Sequence, residues 1–206
     1  MRIELQHIAK RYRYEWVLRG VNLQLETGKN YAITGPNGSG KSTLLKILSG
    51  HLTPSKGKIQ FSIDEKLLAS ELVYKQLSYA APYIDLIEEF TLTEALHFHY
   101  NFKPFINNQT PKDIIKLLGF KKAQDKAIRY FSSGMKQRLK LALAICSDTP
   151  FLLLDEPTAT LDRQGVEWYQ SLIRQFADNR LVIVASNVEE DFFFCEERVS
   201  ILDFKT

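Results

Sequence analysis

Gly35-Pro36-Asn37-Gly38-Ser39-Gly40-Lys41-Ser42 follows a short apolar run at residues 31–34. It precedes Leu44, Leu45, Ile47 and Leu48, spaced as one face of a helix that Gly50 ends. The stretch satisfies G-x-x-x-x-G-K-[ST] in full. Its glycines let the backbone curl so that successive N–H groups converge on a phosphate. The helix starting near Lys41 adds the positive end of its dipole. Lys41 is placed to reach the β- and γ-phosphates of a nucleotide, and the Ser42 hydroxyl to bind Mg²⁺. A chance match in a glycine-rich turn is the alternative; the strand before and the helix after argue against it.

A phosphate cradle needs an acid on the metal side. Phe151-Leu152-Leu153-Leu154-Asp155-Glu156 offers two, at the end of four apolar residues that read as a buried central strand. Ligands of open α/β sheets sit outside the carboxyl ends of the strands. Asp155 is therefore expected near the metal, and Glu156 is free to orient and deprotonate an attacking water. A strand ending in exposed acids is the plain alternative. The N-K-x-D motif of a GTPase does not occur. Two adjacent carboxylates followed by Pro157 suit an ATPase better than a small-molecule kinase.

The remaining chain reads as strands at 2–7, 21–25, 58–63, 77–81, 181–185 and 199–203. Helices are expected at 93–102, 111–118 (closed by Gly119), 133–147 and 165–177. Strands alternating with helices favour a parallel sheet covered by helices. The helical middle, about 85–130, looks inserted. Composition places the chain among ordinary globular proteins, with 45% hydrophobic and 25% charged residues. A net charge of +3 does not by itself argue nucleic-acid binding, and no such partner is expected. Cys146 and Cys195 lack metal-ligand spacing and read as free thiols of a reducing compartment. No apolar run approaches the roughly 20 residues of a membrane span, and the N-terminus has no signal-peptide core.

Two further stretches complete a pattern: Phe131-Ser132-Ser133-Gly134-Met135-Lys136-Gln137-Arg138 and Leu154-Asp155-Glu156-Pro157-Thr158-Ala159-Thr160-Leu161-Asp162. With the loop from Gly35 to Thr43, they make the chain resemble the ATP-binding subunits of ABC (ATP-binding cassette) transporters over nearly its whole length. The first resembles the family signature, usually L-S-G-G-Q. The second resembles its acidic strand end and following loop. The resemblance implies an α/β fold, a P-loop NTPase of the ABC ATPase type. It would have a mixed central sheet with an antiparallel β part and an inserted helical lobe at about 85–130. Residues 1–206 would form one nucleotide-binding domain.

It also implies an ATP hydrolase using ATP and Mg²⁺. Gly35, Pro36, Asn37, Gly38, Ser39, Gly40, Lys41, Ser42 and Thr43 would hold the phosphates, and Ser42 and Asp155 the metal. Glu156 and Lys41 would carry catalysis. Two protomers, identical or not, would pair head-to-tail around two ATP molecules. Ser132, Ser133 and Gly134 of one would then meet the γ-phosphate held by the other; alone, they read as a helix cap. Tyr12, with Tyr14 and Trp16 as neighbours, stands where the family stacks an aromatic ring on adenine. A separate membrane permease would be the working partner, with this chain peripheral on the cytoplasmic face. Compact exporter ATPases, including the haem-exporter type, are similar in size.

The sequence departs from the family at two places. Pro82 stands where a metal-sensing Gln is usual, and Asn187 where a His contacts γ-phosphate; an Asn amide donates a hydrogen bond but carries no proton. Slow or differently gated hydrolysis follows as an expectation. A nucleotide-binding regulatory subunit and a soluble ABC ATPase acting on ribosomes or DNA are the rival readings. His97 and His99 do not share a helix face and are not expected to bind metal. Phe192, Phe193 and Phe194 are expected in a packed helix. The basic clusters Lys121-Lys122 and 136–140 read as solvated faces.

Overall fold

The computed structural model describes residues 1–205. In chain order the elements are β1 (Arg2–Tyr12), β2 (Glu15–Glu26), β3 (Asn30–Thr34), α1 (Lys41–Leu48), β4 (Lys56–Ile63), β5 (Lys66–Leu68), α2 (Val73–Gln76) and β6 (Leu77–Ala80). Then follow α3 (Leu92–Phe102), α4 (Pro111–Leu118), α5 (Ser133–Ile145), β7 (Phe151–Asp155), α6 (Arg163–Phe176), β8 (Leu181–Ala185) and β9 (Glu197–Ser200). Among the described residues they form two sheets. One is antiparallel, in the order β2-β1-β4-β5; the other runs β6-β7-β8-β3-β9 and its pairings are parallel.

The parallel sheet separates two apolar cores, and residue parity decides which side each chain serves. Leu152 and Leu154 of β7, with Val182 and Val184 of β8, face the core shared with α3, α4, α5 and α6. Phe151, Leu153, Leu181 and Ile183 face the core shared with α1 and the antiparallel sheet. Both faces are covered, so these strands carry no polar alternation until Asp155.

Several boundaries differ from the sequence expectation, each for a local reason. β1 and β2 run further than 2–7 and 21–25. A bulge shifts the register after Leu5, His7 takes φ 50°, and its N–H is accepted by Asn22 Oδ1 instead of the ladder. Burial resumes out of phase at Ile8 and Ala9, which hid the strand's continuation. β5 was not expected. It pairs with β4 through Asp64 and Glu65, both in the left-handed region that a two-residue hairpin demands, without the usual glycine. The last strand begins two residues earlier than the expected 199–203 and ends at Ser200, because pairing with β3 sets Tyr31 opposite Glu197. Phe192 is buried, yet the segment before it is a single 3-10 turn, Glu189–Asp191, in place of the expected helix.

Arg180 anchors the sheet's lower edge. It is 4% exposed and donates to the carbonyls of Ile145, Thr149 and Phe176 and to the hydroxyls of Ser78 and Thr149. The carbonyls of Ile145 and Phe176 are the negative ends of α5 and α6, so helix termini balance the buried cation.

His99 is packed: its Nε2 meets Ser147 Oγ at 2.7 Å and its ring stacks on Phe105 at 5.7 Å. Burial, aided by nearby Lys103, pushes its pKa down from 6.5 to about 4. The unfolded chain therefore takes the proton first as pH falls. Stability is expected to drop between pH 6.5 and 4, by up to about 3 kcal/mol. Urea denaturation at pH 7 and pH 4.5 tests this; His99→Gln should shrink the difference, and an equal drop in both proteins would contradict it.

Candidate functional site

The loop from β3 to α1 is shaped by glycines at positive φ, two of which also have no room for a Cβ. Gly35, Gly38 and Gly40 take φ 145°, 75° and 101°. A Cβ on Gly35 would come within 2.4 Å of Ile201 Cγ2, and one on Gly40 within 2.7 Å of Val17 Cγ1. Lys41, 4% exposed, turns its ammonium back onto the carbonyls of Gly35 (2.7 Å) and Pro36 (3.3 Å). Among the described residues it forms no ion pair. A buried cation whose hydrogen bonds go to carbonyls calls for an anion. Ser39 Oγ, also buried, has no hydrogen-bond partner among the described residues and belongs to the same cradle.

A cleft of about 250 Å³ opens over this loop, lined by Val17, by Asn37 to Thr43 and by Glu156. Glu156 follows β7 at φ 44°, a left-handed conformation costing about 1–3 kcal/mol outside glycine. Its N–H continues the ladder to the Ala185 carbonyl at 2.9 Å, while Pro157 turns the chain away. Ladder and turn together leave its side chain on the cleft. Asp155, one residue back, is 1% exposed. Burial raises its pKa, opposed by the Ser42 and Tyr83 hydroxyls and by Lys41. Its Oδ2 accepts from the Tyr83 hydroxyl at 2.9 Å, and its Oδ1 has no hydrogen-bond partner among the described residues.

Asn187 reaches the loop from beyond β8. Its Oδ1 accepts the Gly35 N–H at 3.2 Å, and its Nδ2 donates to Asn37 Oδ1 at 3.2 Å. Asp191 stands behind it. One carboxylate oxygen accepts the Thr158 N–H and hydroxyl; the other accepts from Ser186, whose Oγ takes the Val188 N–H at 3.0 Å. Desolvation raises the Asp191 pKa as well. This buried carboxylate joins the segment after Glu156 to the one carrying Asn187, and nothing in the sequence pattern singled it out.

Other expected site residues lie elsewhere. Ser132, Ser133 and Gly134 open α5 and do not line the cleft; Ser132 is the cap, its Oγ accepting the Met135 N–H at 3.2 Å. Gln137 of the same helix donates to the Pro157 carbonyl at 2.7 Å, tying α5 to the acidic segment. Tyr12 closes β1 outside the cleft lining, half exposed, with Lys10 Nζ 5.4 Å from its ring centre. Trp16 is flanked by Arg11, Arg19 and Lys56.

A family profile described as ABC transporter matches residues 18–159. The lantibiotic transport ATP-binding protein SrtF of Streptococcus pyogenes is 30% identical over 190 residues, covering 90% of this chain and 79% of that protein. An ABC transporter ATP-binding protein from Pyrococcus furiosus superposes with a TM-score of 0.82 at 21% identity, covering 100% of both chains. The cassette MJ0796, as a dimer in a post-hydrolysis state with ADP and Pi, gives 0.82 at 23% identity, covering 96% of this chain and 93% of that one. The two structural likenesses show a shared fold.

Gly40→Ala tests the cradle. The added methyl meets Val17 and forces a left-handed alanine, so the variant should fold yet bind ATP at least about a hundredfold more weakly. Calorimetric titration measures this; unchanged affinity would mean that the phosphates sit elsewhere.

Proposed function

The chain belongs to the ABC transporter family, and we propose that it is the ATP-binding and ATP-hydrolysing subunit that drives a separate membrane permease. The observation that carries this reading is Lys41, buried and, among the described residues, hydrogen-bonded to carbonyls and in no ion pair, in a glycine loop that faces Glu156 across one cleft. ATP is the substrate. Its phosphates lie over the loop N–H groups and Lys41, with Ser39 Oγ as a further donor. Tyr12 receives the adenine ring, a role supported by its exposed position at the end of β1.

The donor set fits Mg²⁺. A Ser42 hydroxyl, one carboxylate oxygen left without a partner and phosphate oxygens suit a hard cation that keeps several waters. When bound, Mg²⁺ supplies charge neutralisation at the β- and γ-phosphate oxygens. Glu156 orients the attacking water and takes its proton. Lys41 stabilises the charge that develops on the transferred phosphoryl group. Asn187, held against Gly35 and Asn37, offers an amide N–H toward the γ-phosphate; carrying no titratable proton, it positions but does not relay.

Ser132, Ser133 and Gly134 stand outside this chain's own cleft, at the N-terminus of a thirteen-residue helix suited to an anion. Their role is to close the cleft of a second cassette, identical or not, so that two chains enclose two ATP molecules. ATP binding favours the closed pair and hydrolysis releases it; that shifted equilibrium is the work delivered to the permease. The region at about 85–130 faces the permease as a helical lobe of a single nucleotide-binding domain, and the chain works at the cytoplasmic face of the membrane. Among the described residues no helix is long and apolar enough to cross a membrane.

A regulatory subunit with weak hydrolysis is the second reading, favoured by Pro82 and Asn187. Phosphate release from ATP separates the two. Wild type should turn over, and Glu156→Gln should lose at least about a hundredfold in rate. The same variant should retain ATP and shift toward the dimer by light scattering. Wild-type turnover no faster than that of Glu156→Gln would favour the regulatory reading.

A further inference from the structure

The loss of the family's glutamine at Pro82 is matched by a gain one residue later. Pro82 and Tyr83 are the central residues of a turn closed by the Ile84 N–H on the Ala81 carbonyl at 3.2 Å. Proline suits the first central position because its ring fixes φ there. The turn delivers Tyr83 to the acidic end of β7, where its hydroxyl donates to Asp155 Oδ2 at 2.9 Å. The hydroxyl of Tyr79, from β6, in turn donates to that of Tyr83. Lys46, on the helix that follows the phosphate loop, covers the Tyr83 ring at 4.0 Å. Lys140, on the helix that Ser132 caps, holds the Pro82 carbonyl at 3.0 Å. Helices α1 and α5 thus fix the turn from two sides.

The two oxygens of Asp155 are unequal in consequence. Oδ2 is engaged by Tyr83, while Oδ1 is buried without a hydrogen-bond partner among the described residues. An ionised carboxylate in a buried place normally fills both oxygens with donors. One left open beside the Ser42 hydroxyl is an acceptor held in reserve.

We propose that Tyr83 is the metal-positioning residue of this ATP site: its hydroxyl fixes the Asp155 carboxylate so that Oδ1 faces a divalent cation bound with the nucleotide. The inference rests on the ATP-site reading above. The side-chain amide lost at Pro82 is replaced by a hydroxyl acting through Asp155, and the Tyr79 hydroxyl supports it by polarising the Tyr83 O–H. A movement of the turn that carries Tyr83 would then alter metal binding. Because Lys140 holds that turn, the helix entering the partner's site is mechanically joined to this metal position.

The test uses the full chain, the non-hydrolysable imido analogue of ATP and Mn²⁺, with free Mn²⁺ read by electron paramagnetic resonance. Tyr83→Phe keeps the ring beneath Lys46 and lies at a position 43% exposed, so it should fold; a melting curve checks this. Its Mn²⁺ dissociation constant should rise about tenfold, as expected for a lost hydrogen bond to a charged group. In an Asp155→Asn background the same change should add nothing, since its effect runs through that carboxylate. Tyr79→Phe, one bond further back, should weaken Mn²⁺ binding by a smaller factor. Equal Mn²⁺ affinity in wild type and Tyr83→Phe overturns the proposal, as does a full Tyr83→Phe effect in the Asp155→Asn background. Should Tyr83→Phe not fold, an unaltered constant in Tyr79→Phe overturns it. Failure of the wild type to bind the analogue at all is a different result: it removes the ATP-site reading, and this inference with it.

Discussion

Backbone handedness between β3 and α1 is the constraint on which the rest of the molecule depends. Three glycines at positive φ bring the chain round in the few residues between strand and helix. The tightness of that path is visible from its neighbours. Ile201, just after β9, fills the space a Gly35 side chain would need, and Val17 of β2 fills that of Gly40. The loop is therefore clamped between the parallel sheet's far edge and the antiparallel sheet. Both sheets serve to hold one stretch of backbone in a fixed path.

The parallel sheet then solves a second problem, that of bringing carboxylates to the loop without exposing the core. Strand β7 is buried on both faces, and its alternating side chains divide between two apolar cores. The first polar residue appears at the end of the strand. Asp155 is still deep enough for desolvation to raise its pKa, while Glu156, turned by a left-handed backbone, lines the cleft. Adjacent acids so acquire different surroundings. One remains at the buried end of the ladder, where a cation would be favoured; the other is beside solvent, where a water can reach it. Burial, rather than residue type, separates their chemistry.

What could be read from sequence follows from how local each signal is. The glycine loop, the apolar strands at 151–154 and 181–185 and the helix at 111–118 with its Gly119 stop depend on neighbours a few residues away, and they stand where expected. The β5 hairpin was hidden because Asp64 and Glu65 adopt a turn that glycine or asparagine normally announces. The true length of β1 was hidden by a bulge that reverses the alternation at His7. Asp191 was invisible because its partners, Thr158 and Ser186, come from other segments that only the folded sheet brings together. Tyr83 was overlooked for a related reason. In sequence, Pro82 registers as an amide removed; only the fold shows the turn it makes and the acid that turn approaches.

That turn also bears on why a cassette would tolerate proline at such a position. A glutamine side chain is long and flexible, and its ordering on a metal costs conformational entropy of up to about 2 kcal/mol. A tyrosine has two rotatable bonds before its ring, and here the ring is pinned by Lys46 and the backbone by Pro82 and Lys140. The group that reaches Asp155 is consequently arranged before any ligand arrives. Preorganisation of this kind favours a fixed geometry over an adaptable one. The cost is reach: a hydroxyl held on the carboxylate does not extend onward to the γ-phosphate as a longer side chain could. Asn187, an amide held against Gly35 and Asn37, has the same character. Both departures from the family pattern substitute a short, pre-positioned group for one that moves or titrates. If the ATP-site reading holds, such a site would respond to nucleotide through the packing of its neighbours, chiefly the helix that Ser132 caps and the turn that helix holds.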